Sequence, residues 1–121
     1  MQQELQDKLF QKYPDIFVQR HLSNDKTSMC YGIQCPDSFY DIIDALCQCI
    51  QSHVKYKKSE FEKDSRGWLG SLHPPNIKTV KNCEALQVKT KFGQLRFYTT
   101  GTDDYIRGAI AVAEMLSRKI K

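Results

Sequence analysis

The sequence predicts an α+β fold in which a small antiparallel sheet is covered by two or three helices. Three observations support it: a hairpin pattern over residues 86–99, and two helical repeats of apolar residues, one beginning near Ser38 and the other after Thr102. The chain has 121 residues, enough for one domain, 1–121, with a single hydrophobic core.

The hairpin prediction rests on residues 87–98, Gln-Val-Lys-Thr-Lys-Phe-Gly-Gln-Leu-Arg-Phe-Tyr. A two-residue turn at Phe92-Gly93 places Lys89 opposite Arg96. Because side chains alternate along a strand, one face is apolar and its burial specifies the register. The other face is polar and carries Gln87, Lys89, Lys91, Arg96 and Tyr98.

A hairpin alone is only marginally stable, so residues 29–34 or 16–18 are expected to add a strand. A first helix is expected over residues 3–12, ended by Pro14. The second is expected over 38–52, where Ser38 and Asp41 have the spacing of a capping box, with fraying near 52–56.

The third helix is expected over 103–119. Thr102 is its predicted N-cap, and Asp103 and Asp104 suit the helix dipole. The helical spacing predicts a buried stripe of six residues: Ile106, Ala109, Ile110, Ala113, Leu116 and Ile120.

A net charge of +4 favours encounter with phosphates but is too small for a dedicated nucleic-acid binder. No apolar run approaches the ~20 residues that span a membrane, and the N-terminus lacks the features of a signal peptide, so a cytoplasmic protein without membrane contact is expected. Five cysteines cannot all pair with one another, and Cys47 and Cys49 face apart on a helix. Reduced thiols, with no metal and no cofactor, are therefore expected.

No known catalytic motif is present, so the chain is expected not to be an enzyme. Asp41 and Asp44 lie one helical turn apart and suit Mg²⁺, but such a pair more often forms a solvated face. His73, beside two prolines, has no identifiable partner.

The polar hairpin face has the composition of an anion site. Arg96 offers a planar fork for phosphate, Tyr98 a ring or a hydroxyl, and Lys89 additional charge. The alternative is an internal salt-bridge network in which Asp41, Asp44 or Glu114 pairs with these bases. Trp68 is interpreted either as a lid over a ligand or, preferably, as a core anchor.

Two segments resemble a family of small tailed-phage proteins. Residues 32–47 are similar to its Gly-Trp-Tyr-Asp-Leu-Ile-Asp-x-Leu-Cys segment, with Phe39 in place of Trp. Residues 87–98 are similar to its Gln-Val-Lys-x-Lys-Phe-Gly-x-Leu-Arg-Phe-Tyr signature. Tyr13-Pro14 and Ala113-Glu114 also fit, so the resemblance spans most of the chain.

The resemblance implies a phage or prophage accessory protein acting in the host cell cytoplasm, a class that often antagonises host defence. The anion-facing hairpin then favours sequestration of a small phosphorylated, nucleotide-derived ligand. One alternative is inhibition of a host defence enzyme through Trp68 and the mixed-charge segment 55–75. Another is a metal-dependent nuclease or phosphodiesterase using Asp41 and Asp44. Open sheet edges also predict a homo-oligomer, most simply a two-fold dimer.

Overall fold

The structure, a computed structural model, describes residues 1–22, 27–67 and 82–120, with side chains described to Ser59 in the long helix. In the described part, three helices and three strands occur along the chain, joined by short 3₁₀ turns. They are α1 (Gln3–Lys12), β1 (Ile33–Gln34), α2 (Tyr40–Gly67), β2 (Glu84–Lys91), β3 (Gln94–Thr100) and α3 (Asp104–Ser117).

The sheet has the order β1-β2-β3, and the predicted α+β class is confirmed. The hairpin register is the predicted one, with Val88 opposite Phe97 and Lys89 opposite Arg96. The sheet is mixed rather than purely antiparallel, because β1 runs parallel to β2 and pairs Ile33 with Val88. A parallel neighbour needs a long crossover connection, and α2 lies within that connection.

The hairpin turn contains two residues in the left-handed region, Phe92 (φ 55°) and Gly93 (φ 77°). Positive φ at both central positions defines the turn type whose twist suits a two-residue hairpin. Glycine adopts this conformation freely, whereas a bulky residue such as phenylalanine does not. The Phe92 side chain is nevertheless 95% exposed, so burial does not compensate for its backbone conformation.

The core forms between the apolar face of the hairpin and the helices. Val88, Leu95 and Phe97 are buried as predicted. Phe17 packs edge-on against Phe97, with 6.5 Å between ring centroids, and against Phe10 at 5.2 Å. This aromatic contact connects β3 to the chain that follows α1.

Helix α1 has the predicted bounds, but the predicted fraying of α2 near residues 52–56 is wrong, since α2 continues to Gly67. The side chains of this part make contacts that the local sequence does not reveal. His53 Nε2 and Lys57 Nζ each lie 2.6 Å from Asp103 Oδ2, and Lys58 Nζ donates to Asn82 Oδ1 at 2.6 Å.

Helix α3 differs from its prediction at both ends. Its N-cap is Asp103 rather than Thr102, because Asp103 Oδ1 accepts the N–H of Ile106 at 2.9 Å. Near its C-terminus, Leu116 is half exposed and Ser117 is fully buried. Ser117 follows Ile110 by seven residues and therefore lies on the same face of the helix.

No helix in the described residues is long and apolar enough to cross a membrane.

Candidate basic hairpin face

The structure brings together five of the six predicted site residues on one surface of the sheet. We call this surface the basic hairpin face. Lys89 stands directly opposite Arg96, and Gln87 directly opposite Tyr98. Lys91 follows two positions after Lys89, next to the turn, and Tyr98 is 45% exposed. Strand alternation and the two-residue turn together produce this arrangement.

The cations of this face have few acidic partners. Arg96 Nη1 lies 3.5 Å from Glu114 Oε2, which is the outer limit of a hydrogen bond. Lys89 Nζ lies 6.0 Å from the centroid of the Tyr98 ring, and Lys91 Nζ lies 5.8 Å from that of Phe92. Among the described residues, no carboxylate lies within ion-pair distance of either lysine.

Of the three carboxylates proposed as internal partners for the basic residues, Glu114 is the one that contacts Arg96. Asp44 is bound elsewhere, because Tyr13 donates its hydroxyl to Asp44 Oδ1 at 2.6 Å and Lys12 Nζ lies 2.9 Å from the same atom. Asp41 is exposed on α2. Within the part of the chain that the structure describes, Arg96 and Glu114 are thus the one pair of the predicted salt-bridge network that forms.

Helix α3 lies beside this face and contacts β3. Arg118 Nε donates to Gln94 Oε1 at 2.9 Å, and Glu114 lies one turn earlier, opposite Arg96. Arg107 stands near the start of the helix and pairs with exposed Asp104 at 3.0 Å. A groove of about 480 Å³ runs between α3 and β3, and its polar lining consists of Tyr98, Thr99, Thr102, Arg107 and Glu114.

The two charged side chains that line the groove, Glu114 and Arg107, have opposite signs. Partial burial raises the pKa of Glu114, and the neighbouring Arg96 guanidinium opposes that rise. A carboxyl with a raised pKa is one whose negative charge is poorly solvated. An anion bound at Arg96 and Lys89 would bring Glu114 a like charge, whereas Arg107 would add another cation at the far end.

A second polar cluster was not predicted from the sequence. Asp103 accepts hydrogen bonds from Lys57 and His53, and the His53 ring stacks on Tyr105 with 4.1 Å between centroids. Burial opposes ionisation of Asp103, but the contacts from Lys57, the Ile106 N–H and His53 outweigh it and hold the pKa far below its usual range. The sequence feature that could have indicated this cluster is the four-residue spacing of His53 and Lys57, because it places both side chains on one helix face.

Two residues with a suggestive sequence context, Trp68 and His73, lie outside the described residues. The five cysteines are all free, and Cys47 is buried while Cys49 is exposed, as their opposite facing predicts. Within residues 1–22, 27–59 and 82–120, no three His, Cys, Asp or Glu side chains form a group that could hold a metal ion.

Comparisons with family models, with curated proteins and with solved structures gave no match to this chain. The resemblance of residues 32–47 and 87–98 to tailed-phage proteins therefore stays a prediction, and the function has to be inferred from the geometry of the basic hairpin face.

Proposed function

We propose that this protein binds a small phosphorylated ligand on the basic hairpin face and acts by sequestering it, without catalysis. The observation that carries the proposal is the direct opposition of Lys89 and Arg96, with Glu114 as the one nearby acidic partner among the described residues, held at 3.5 Å. Like charges directly opposite in a sheet are destabilising, by about 0.2–1 kcal/mol. A bound phosphate would remove that repulsion.

The groups around this pair suit a phosphate ester. The guanidinium of Arg96 can donate two parallel hydrogen bonds to phosphate oxygens, and Lys89 adds a point charge beside it. Tyr98, Thr99 and Thr102 contribute hydroxyl groups to the groove, and Tyr98 also offers a half-exposed ring for stacking.

The size of the groove limits the ligand. Its volume of about 480 Å³ lies within the ~300–1,000 Å³ that small-molecule sites occupy. A ligand that places a phosphate at Arg96 and an aromatic ring over Tyr98 combines the two groups that a nucleotide carries. Together with the tailed-phage resemblance, this supports a nucleotide-derived messenger of host defence as the sequestered species.

One observation favours a second function, inhibition of a host defence protein. Phe92 is almost fully exposed at the tip of the hairpin, in a backbone conformation that costs free energy. Aromatic residues, phenylalanine included, are enriched in protein interfaces, and a few buried side chains carry most of the binding energy there. Residues 68–75 of the mixed-charge segment, Trp68 among them, lie outside the described residues, and of its side chains only 55–59 are described. Within the described part of the chain, Phe92 is therefore the side chain best placed for this role.

Mass spectrometry of small molecules released from heat-denatured, purified protein tests the first function. We expect a phosphorylated compound in stoichiometric amount, recovered intact because the protein does not degrade it. Titration calorimetry with pyrophosphate then measures the site itself. Failure to bind pyrophosphate, combined with stable co-purification of a host protein that is lost in Phe92→Ala, would replace sequestration with inhibition.

A further inference from the structure

The α2 and α3 helices share an exposed apolar surface that the proposed ligand site does not use. Tyr105, Val112, Met115 and Leu116 lie on α3, and each leaves between 50% and 64% of its surface exposed. Tyr105, Val112 and Leu116 line a groove of about 530 Å³ between α3 and the first half of α2, and Met115 precedes Leu116 on the same helix. We call this surface the α2/α3 strip, and its groove is lined by Ile42, Ala45, Leu46, Cys49, Tyr105, Gly108, Ala109, Val112, Ala113 and Leu116.

Among the described residues, those that line this groove include no Asp, Glu, Lys, Arg or His, although 26% of the chain is charged. Monomeric proteins seldom expose a continuous apolar surface of this kind without a binding role. The strip also lies on the side of α3 away from β3, so an occupant would leave the basic hairpin face accessible.

The two ends of the strip carry charges of opposite sign. Asp104, at the start of α3, has a side chain that is 99% exposed, and Lys119, just after the end of α3, is also exposed. An antiparallel copy of the same helix would bring each Asp104 next to the Lys119 of the other copy. Antiparallel alignment also places the opposite ends of the two helix dipoles together.

The sizes of the side chains are complementary under the same operation. A two-fold axis through Val112 places the small residues Gly108 and Ala109 opposite the larger Met115 and Leu116 of the second copy. Small residues facing large ones allow helices to approach and interdigitate. Val112 then meets its own counterpart at the axis, as a residue on the axis of a two-fold interface must.

We propose that the α2/α3 strip is the interface of a two-fold homodimer in which the two copies of α3 pack antiparallel. The open sheet edge that first suggested an oligomer is a less suitable interface. Beside β3 the Leu95 N–H already donates to Ser117 Oγ at 2.8 Å, and the opposite edge strand, β1, has two residues.

The dimensions of the strip set the expected affinity. The 14 residues of α3 extend about 21 Å, and two adjacent helices are roughly 20 Å wide, so the flat footprint is about 400 Å² for each copy. This is below the ~800 Å² that each partner buries in an interface of standard size. The dimer is therefore expected to dissociate in the micromolar range.

Sedimentation over a concentration series from about 1 μM to several hundred μM tests the interface across the expected range. The mass should rise from the 14.1 kDa of one chain towards twice that value. Val112→Glu should raise the dissociation constant more than about 10-fold, because the dimer would bury two facing carboxylates. Ala111→Glu adds the same group one residue away, outside the strip, and should leave the mass unchanged.

A charge exchange tests the antiparallel arrangement. Asp104→Lys and Lys119→Asp should each weaken the dimer, and the double variant should restore it. A mass that stays at one chain throughout the series would overturn the proposal, as would equal behaviour of Val112→Glu and Ala111→Glu. A monomer that binds anionic vesicles, and loses this binding in Val112→Glu, would assign the strip to a membrane surface instead.

Discussion

Arg96 on β3 and Glu114 on α3 pair with 3.5 Å between Nη1 and Oε2. The pair is only partly shielded, since 35% of the Arg96 side chain and 19% of the Glu114 side chain are exposed. Such a pair contributes about 0–1 kcal/mol to stability. Glu114 thus competes weakly for the guanidinium that the proposed ligand needs.

The first prediction follows from this competition. Arg96→Ala should weaken binding of pyrophosphate about 10- to 150-fold, because hydrogen bonds to charged groups are worth about 1.5–3 kcal/mol. Glu114→Gln should strengthen that binding, because it removes the negative charge beside the site. Calorimetric titration of both variants with pyrophosphate measures the two effects.

The controls for this prediction are Arg96→Lys and Lys8→Ala. Arg96→Lys keeps the charge without the planar fork and should recover part of the affinity. Lys8 is an exposed lysine on α1, and its removal tests whether net charge alone matters. Arg96→Ala that lowers the melting temperature but leaves pyrophosphate affinity unchanged would end the binding-site proposal.

Phe92→Asn should stabilise the protein. The wild-type residue holds φ at 55° without burying its ring, and asparagine followed by glycine is the preferred pair for this turn. Relief of the left-handed conformation should raise the free energy of unfolding by about 0.5–1 kcal/mol. Phe92→Ala keeps the unfavourable backbone and serves as the control in urea denaturation. Equal stability of the two variants would show that Phe92 is not strained.

Ser117→Ala should destabilise the protein by about 1–3 kcal/mol, because the buried N–H of Leu95 would lose its acceptor. Ser117 also donates to the Glu114 carbonyl oxygen at 2.5 Å, so its hydroxyl fixes the end of α3 against β3. Faster hydrogen exchange at the Leu95 amide should accompany the loss of stability. Ser52→Ala, at an exposed serine of α2, is the matched control and should change neither quantity.

Asp103 should stabilise the protein in a pH-dependent manner. Its folded-state pKa is lowered, so its contribution is fully present above the unfolded pKa of about 3.9 and is lost as the pH falls through the folded pKa. Asp103→Asn keeps a good N-cap but removes the charge that pairs with His53 and Lys57. The stability gap between wild type and Asp103→Asn should therefore be constant near neutrality and narrow as the pH falls below about 4.

Asp103→Ala removes the cap as well and should cost a further ~0.5–2 kcal/mol at every pH. Denaturant unfolding between neutral and strongly acidic pH distinguishes the two contributions. A gap between wild type and Asp103→Asn that is constant with pH would contradict the lowered pKa.

The hairpin and α1 were predictable because their determinants are local. Alternation around Phe92-Gly93 fixes the register of Lys89 and Arg96, and Pro14 ends α1. The parallel pairing of Ile33 with Val88 was not predictable in the same way, since a two-residue strand has no pattern of its own. Likewise, α2 continues past Ser52 where its side chains reach Asp103 and Asn82, contacts that are remote in sequence.

The strand residues of the candidate site were predictable from the sequence, but the helix residues beside them were not. Strand alternation grouped the residues of β2 and β3, but it carries no information on which helix lies beside them. Arg107 and Arg118 lie near the candidate site because α3 packs beside β3. Glu114 contacts Arg96 for the same reason. Leu116 shows the limit of hydrophobicity as a guide to burial, because an apolar residue on the surface is common.

The parallel pairing of β1 with β2 has a consequence for the time course of folding. Ile33 pairs with Val88, which is distant in sequence, whereas Lys89 pairs with Arg96 only a few residues away. Closing a long loop costs entropy before any contact forms, so distant pairings slow the folding of small domains. During synthesis the N-terminal segment therefore leaves the ribosome without its sheet partner. The hairpin is expected to form first and to serve as the template on which β1 docks last.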